Sequence, residues 1–147
     1  MFRYAHTNLI ARDPGRLIDF YKTVFRCRSI GETRDLRGDW LDRLTGIPDA
    51  HLTGEHLVLP GYGEDHPTLE IFSYAETLPS APAVNRLGLA HLAFEVDDVA
   101  ATLAQVLAHG GSQLGELIRT RYPDGREAVF VYAADPEGNL LEIQSWG

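Results

Sequence analysis

Leu17, Ile18, Tyr21, Val24 and Phe25 recur at the spacing of one helical face. Asp13-Pro14 stands just ahead of them as a cap and first-turn proline. A segment of strand character, Phe2 to Ala11, precedes this helix, and a second strand is expected near Arg28 to Arg34. Asp35 to Asp49 is polar and irregular and holds Trp40; two apolar runs, His51 to Leu59 and Thr68 to Tyr74, follow it, with Gly61-Tyr62-Gly63 between them as turn chemistry. Residues 78 to 85, LPSAPAVN, contain two prolines and small residues and read as a linker.

Beyond the linker the order begins again. Arg86 to Val96 has strand character, Asp97-Asp98 offers a cap, and Val99, Leu103, Val106 and Leu107 trace a helix closed by Gly110-Gly111. Strands are expected around Gln113 to Thr120, Arg126 to Ala134 and Leu140 to Trp146, separated by the turns Tyr122-Pro123-Asp124-Gly125 and Asp135-Pro136-Glu137-Gly138. Residues 1–77 and 86–147 thus both read strand, helix and three strands, which predicts an α+β chain of two tandem βαβββ modules in one domain. A shift of 85 positions lays Ala5-His6 on Ala90-His91 and Asp13 on Asp98, and a shift of 72 lays Leu69-Glu70-Ile71 on Leu141-Glu142-Ile143.

That repeat changes what the polar residues mean. In a strand Glu70 shares a face with Phe72 and Tyr74 while Leu69 and Ile71 point the other way, and Glu142 stands likewise between Leu141 and Ile143. His6 and His91 are expected in mid-strand. A carboxylate inside a strand is disfavoured unless it is paired or binds a cation. Two His and two Glu at matched positions therefore predict a divalent metal, for which imidazole and carboxylate suit Ni, Zn, Co, Mn or Fe. His51 and His56, an odd number apart in one strand, point to opposite faces and make no pair by themselves. Cys27 reads as a small core residue.

Composition narrows the partners. The 147 residues carry a formal charge of -8, and the Lys and Arg residues are scattered rather than gathered in a stripe, so no nucleic-acid partner is expected. No apolar run is long enough to span a bilayer. The single cysteine excludes an intrachain disulfide, and the first residues lack the layout of a signal peptide, so a cytoplasmic location is expected.

The stretches YAHTNLIARDPGRLIDFYKTVF, TLEIFSY, GLAHLAFEVDD and DPEGNLLEIQSW resemble the vicinal oxygen chelate superfamily of glyoxalase I, extradiol dioxygenases, epimerases and antibiotic-resistance proteins. The resemblance covers nearly the whole chain. It implies a curved mixed sheet around a metal cavity, ligands at His6, Glu70, His91 and Glu142, and a homodimer, since two modules from one chain or from two can close such a site. A His-Glu-His-Glu set looks most like glyoxalase I, which implies a lyase or isomerase that moves a proton through an enediolate, with Glu142 or Glu70 as base. Ile10 and Tyr74 stand where bacterial glyoxalase I carries the arginine and asparagine that hold glutathione, so glutathione dependence is not expected. Phe72, Tyr74 and Trp146 would instead line a pocket for a larger apolar or aromatic substrate. Tyr132 fits the latter half of the extradiol dioxygenase signature, which makes a ring-cleaving Fe(II) dioxygenase the runner-up and a non-catalytic resistance protein the third reading.

Overall fold

A computed structural model of the chain describes residues 1–63 and 67–147. It divides into two compact units, Met1–Pro79 and Ser80–Gly147. The first contains β1 (His6–Ile10), α1 (Pro14–Phe25), β2 (Arg28–Arg37), α2 (Asp39–Thr45), β3 (His51–Val58) and β4 (Thr68–Tyr74). The second contains β5 (Leu92–Glu95), α3 (Val99–Ala108), β6 (Ser112–Arg121), β7 (Glu127–Ala134) and β8 (Leu140–Trp146). Each unit carries one four-stranded mixed sheet, ordered β1-β4-β3-β2 in the first and β5-β8-β7-β6 in the second. The first strand of each runs parallel to the last, and the other pairings are antiparallel.

The two capping aspartates do the same work in both units. Asp13 Oδ1 accepts from the Arg16 amide at 3.0 Å and Asp98 Oδ1 from the Ala101 amide at 2.9 Å, each satisfying a first-turn N–H that has no partner within its helix. α1 then buries Leu17, Ile18, Phe20, Tyr21 and Phe25, and α3 buries Val99, Leu103 and Val106. Leu69 and Ile71 of β4, and Leu141 and Ile143 of β8, are fully buried on the sheets. Burying an aliphatic side chain of this size contributes about 1.5–3 kcal/mol. Both turns of the second unit close as expected, with Gly125 N–H donating to Tyr122 O and Gly138 N–H to Asp135 O, each at 2.9 Å. A feature the sequence did not show is a register irregularity in the outer strand of each sheet, between Ile30 and Arg34 and between Leu114 and Ile118. Gly31 and Gly115 supply the positive φ there, at 72° and 64°.

Several expectations need correction. β1 begins only at His6, and β5 is confined to Leu92–Glu95 rather than spanning Arg86 to Val96. His6 is therefore the first residue of its strand, and His91 lies just before its strand rather than inside it. Leu87 and Leu89 are exposed, so their apolar character reflects no ladder. The stretch Asp35 to Asp49 is not irregular: β2 runs on to Arg37 and α2 follows. α2 has a single buried residue, Leu41, too few to leave a helical period in the sequence. It is anchored by Asp42, whose carboxylate accepts from the amides of Asp49 and Ala50 at 3.0 and 2.8 Å. Val24 is only half-buried, its expected place on the α1 core face taken by Phe20, and Leu107 is exposed.

Candidate functional site

Strand register decides which side chains surround each glutamate. Asn8 on β1 and His56 on β3 are the direct partners of Glu70 on β4. Paired residues of neighbouring strands share a face, so the three side chains meet. Asn8 Nδ2 donates to Glu70 Oε2 at 3.1 Å, His6 Nε2 stands 3.3 Å from the same oxygen, and His56 Nε2 stands 3.1 Å from Oε1. Glu70 is buried, one of two buried charged residues among those described. Burial pushes His56 below the usual imidazole range; Arg34 and His6 add to the lowering, while the Glu70 carboxylate opposes it.

The second unit repeats the plan with different flanking residues. Ala93 on β5 and Tyr132 on β7 are the direct partners of Glu142 on β8, so Ala93 takes the place of Asn8 and Tyr132 that of His56. His91 Nε2 stands 3.0 Å from Glu142 Oε2. The Tyr132 ring packs on the His91 ring at 5.2 Å, just as the His56 ring meets that of His6 at 6.4 Å. Each unit therefore holds a His–Glu pair beside a third ring, and Glu70 has polar neighbours on both flanking strands where Glu142 has one.

Among the described residues no group of three or more His, Cys, Asp or Glu side chains is arranged to hold a metal ion. The donors come instead as pairs, and each pair is the right size for adjacent positions on one ion. Ligands with bonds of about 2.0–2.2 Å, mutually perpendicular, stand about 3 Å apart. The contacts of 3.3 Å for His6 with Glu70 and 3.0 Å for His91 with Glu142 match that spacing. Oxygen and imidazole nitrogen are also the donors a borderline divalent ion takes. Both pairs fit as half of a ligand set.

The residues expected to line a substrate pocket are placed differently from one another. Phe72 is buried in a cluster with Leu41, Ala50 and Leu52, against which Tyr74 packs, so α2 covers this end of the Glu70 face. Trp146 packs at a tilt on Tyr122 and edge-to-face with Phe130, at 5.2 and 5.5 Å, with the Arg126 guanidinium 4.9 Å from its ring centre. It also lines a cleft of about 490 Å³ with Glu95, Asp97 and Glu127. Cys27 is buried and its thiol is pushed up to about 12, which keeps it protonated and unreactive. His56 and Asn8 are the site residues that sequence reasoning missed. The signal was present in the hairpin: His56 and Glu70 stand equally far from Gly63, as Tyr132 and Glu142 do from Glu137.

Residues 3–143 match the sequence pattern of the Glyoxalase/Bleomycin resistance protein/Dioxygenase superfamily. The chain belongs to this superfamily. Solved structures with the superfamily's fold agree along nearly the whole chain. A glyoxalase family protein from Bacillus cereus is 20% identical, with 99% of this chain and 93% of that one covered and a TM-score of 0.74. A glyoxalase/bleomycin resistance protein/dioxygenase family enzyme from Burkholderia phytofirmans is 17% identical, with 96% of each chain covered and a TM-score of 0.60. The fosfomycin resistance protein FosX from Listeria monocytogenes, solved with Mn(II) and sulfate, is 14% identical, with 99% and 93% covered and a TM-score of 0.58. No curated protein sequence matches the chain. Among the described residues of this superfamily member no helix is long and apolar enough to cross a membrane.

Proposed function

We propose that the chain is a metal-dependent lyase or isomerase of glyoxalase type, acting on a small molecule with two adjacent oxygens. His6 and Glu70 are one half of the ligand set and His91 and Glu142 the other, supplied by one chain or by two copies in a homodimer. The observation that carries this reading is the recurrence, at matched register, of a His–Glu pair with donor atoms 3.0 to 3.3 Å apart. A divalent cation there supplies Lewis-acid polarisation of the two substrate oxygens. FosX was solved with Mn(II), which supports only that a chain of this fold can hold such an ion.

The two glutamates divide the remaining work. Glu70 is held by Asn8 on one oxygen and flanked by His56 on the other. Glu142, between Ala93 and Tyr132, has His91 as its one ion-pair contact among the described residues. The freer carboxylate is the better base, because proton transfer needs a group that can leave one partner and reach another. Glu142 Oε1 takes the proton from the carbon beside the polarised carbonyl; the C–H electron pair forms the new carbon–carbon double bond as the carbonyl electrons move to oxygen. Return of that proton to the former carbonyl carbon, with the hydroxyl proton passing from its own oxygen to the former carbonyl oxygen, completes an isomerisation with no external oxidant or reductant. Tyr132, whose ring meets that of His91 at 5.2 Å, would bind a substrate oxygen in this reading. Ile10 and Tyr74, apolar and aromatic where glutathione holders are expected, argue for a substrate that need not carry glutathione.

Tyr132 beside His91 also supports a second reading, a ring-cleaving Fe(II) dioxygenase. Elemental analysis of protein purified without added metal separates the two. Nickel, zinc, cobalt or manganese near one ion per chain, lost in both Glu70→Gln and Glu142→Gln, is expected. Iron with oxygen-dependent turnover would favour the second reading, and metal content unchanged by both substitutions would overturn both readings.

A further inference from the structure

We infer that His56 is a positioning residue for Glu70, holding its carboxylate so that Oε2 is turned to the His6 side of the site. The inference rests on the reading of Glu70 as a metal ligand. His56 stands on β3 directly across from Glu70, with Nε2 3.1 Å from Oε1. Two lone pairs at that distance would repel, so the ring carries a proton on Nε2 and turns that N–H toward the carboxylate. The ring itself is fixed edge-on between His6 at 6.4 Å and Phe72 at 5.6 Å, and its side chain is 22% exposed. Asn8 completes the arrangement by donating to Oε2 at 3.1 Å. With Oε1 engaged by His56 and Oε2 by Asn8, rotation of the carboxylate costs two polar contacts, and the orientation beside His6 persists before any ion arrives.

The second unit lacks this device. Tyr132 occupies the slot of His56 and Ala93 that of Asn8, and among the described residues neither donates to Glu142. The repeat has therefore kept the donor pairs and made their supports different. Groups that orient a ligating carboxylate tune affinity without touching the ion, and their loss typically weakens metal binding about 10–100-fold.

The test is Co(II) affinity, measured by competition with a chelating dye, together with the visible spectrum of the Co(II) form, neither of which depends on turnover. His56→Phe keeps a ring against Phe72 but removes the N–H. It is expected to bind Co(II) about 10–100-fold more weakly, with an altered spectrum. His56→Gln, which restores an N–H near Oε1, is expected to recover most of the affinity. His56→Leu serves as the non-donating variant if the Phe chain does not fold. Glu70→Gln is the control for the underlying reading and is expected to lose Co(II). Wild-type affinity and spectrum in both His56→Phe and His56→Leu, with Co(II) lost in Glu70→Gln, would overturn the role of His56 alone. Co(II) retained in Glu70→Gln would instead remove the ligand reading beneath it.

Discussion

Replacing Glu70 and Glu142 by alanine, one at a time, removes the same atoms from equivalent strands, so carbon lost and strand propensity largely cancel. What differs is the company each carboxylate keeps. Among the described residues Glu70 loses a hydrogen bond from Asn8 at 3.1 Å and contacts with His6 and His56 at 3.3 and 3.1 Å; Glu142 loses one contact, with His91 at 3.0 Å. The excess is one charge-assisted hydrogen bond and one imidazole contact. For part-buried contacts these contribute about 1 and about 0.5 kcal/mol. Glu70→Ala should therefore destabilise the metal-free chain by about 1.5 kcal/mol more than Glu142→Ala. The assay is urea unfolding in the presence of a chelator, because a bound ion would add its own stabilisation to the folded state. Trp40 lies in the first unit and Trp146 in the second, so chains with one tryptophan changed to Phe report the two units separately. For urea slopes of about 1–3 kcal/mol per M, the gap between midpoints is about 0.5–1.5 M. Equal midpoint shifts, or a larger one for Glu142→Ala, would refute the asymmetry on which the choice of Glu142 as base depends.

Gly54→Ala should destabilise the first unit by about 3 kcal/mol, combining backbone strain and overpacking. Gly54 has φ of 151°, and a Cβ there would lie 2.0 Å from Ile71 O and 2.8 Å from Phe72 Cα. An unfolding free energy from urea titration within about 0.5 kcal/mol of wild type, the ordinary range of a surface change, would refute it. Glu55 gives a pH dependence of defined sign. The Ser29 hydroxyl, and more weakly Lys22 at 3.3 Å, hold its carboxyl below the ordinary value of 4.5 against the opposing effect of burial. A depressed folded-state value means stability present above 4.5 and lost as pH falls through the folded value. Glu55→Gln should therefore lose stability less steeply than wild type below that pH, measured as urea midpoints across an acid series; superimposable acid limbs would contradict the assignment.

What the sequence made legible, and what it hid, follows from which interactions are local. Leu-Glu-Ile on β4 and β8 could be read because alternation is a property of one strand, and the two caps because Asp13 and Asp98 bond an amide three residues on. The helix α2 escaped because Leu41 is its one buried residue, and β5 was drawn too long because Leu87 and Leu89, though apolar, are exposed. His56 escaped for a different reason. Parity within β3 asks only whether His51 and His56 agree with each other, and they do not; His51 turns to Asp35, 2.7 Å away on β2. Whether His56 meets Glu70 is a question of register between strands, and register depends on the turn that joins them. The same reasoning explains why the repeat was easier to see in the donors than in their supports. His6 and Glu70 recur as His91 and Glu142, whereas Asn8 and His56 recur as Ala93 and Tyr132. Divergence in the flanking positions leaves Glu70 with polar partners on both flanking strands and Glu142 with one, the asymmetry behind the proposal that Glu142 is the base.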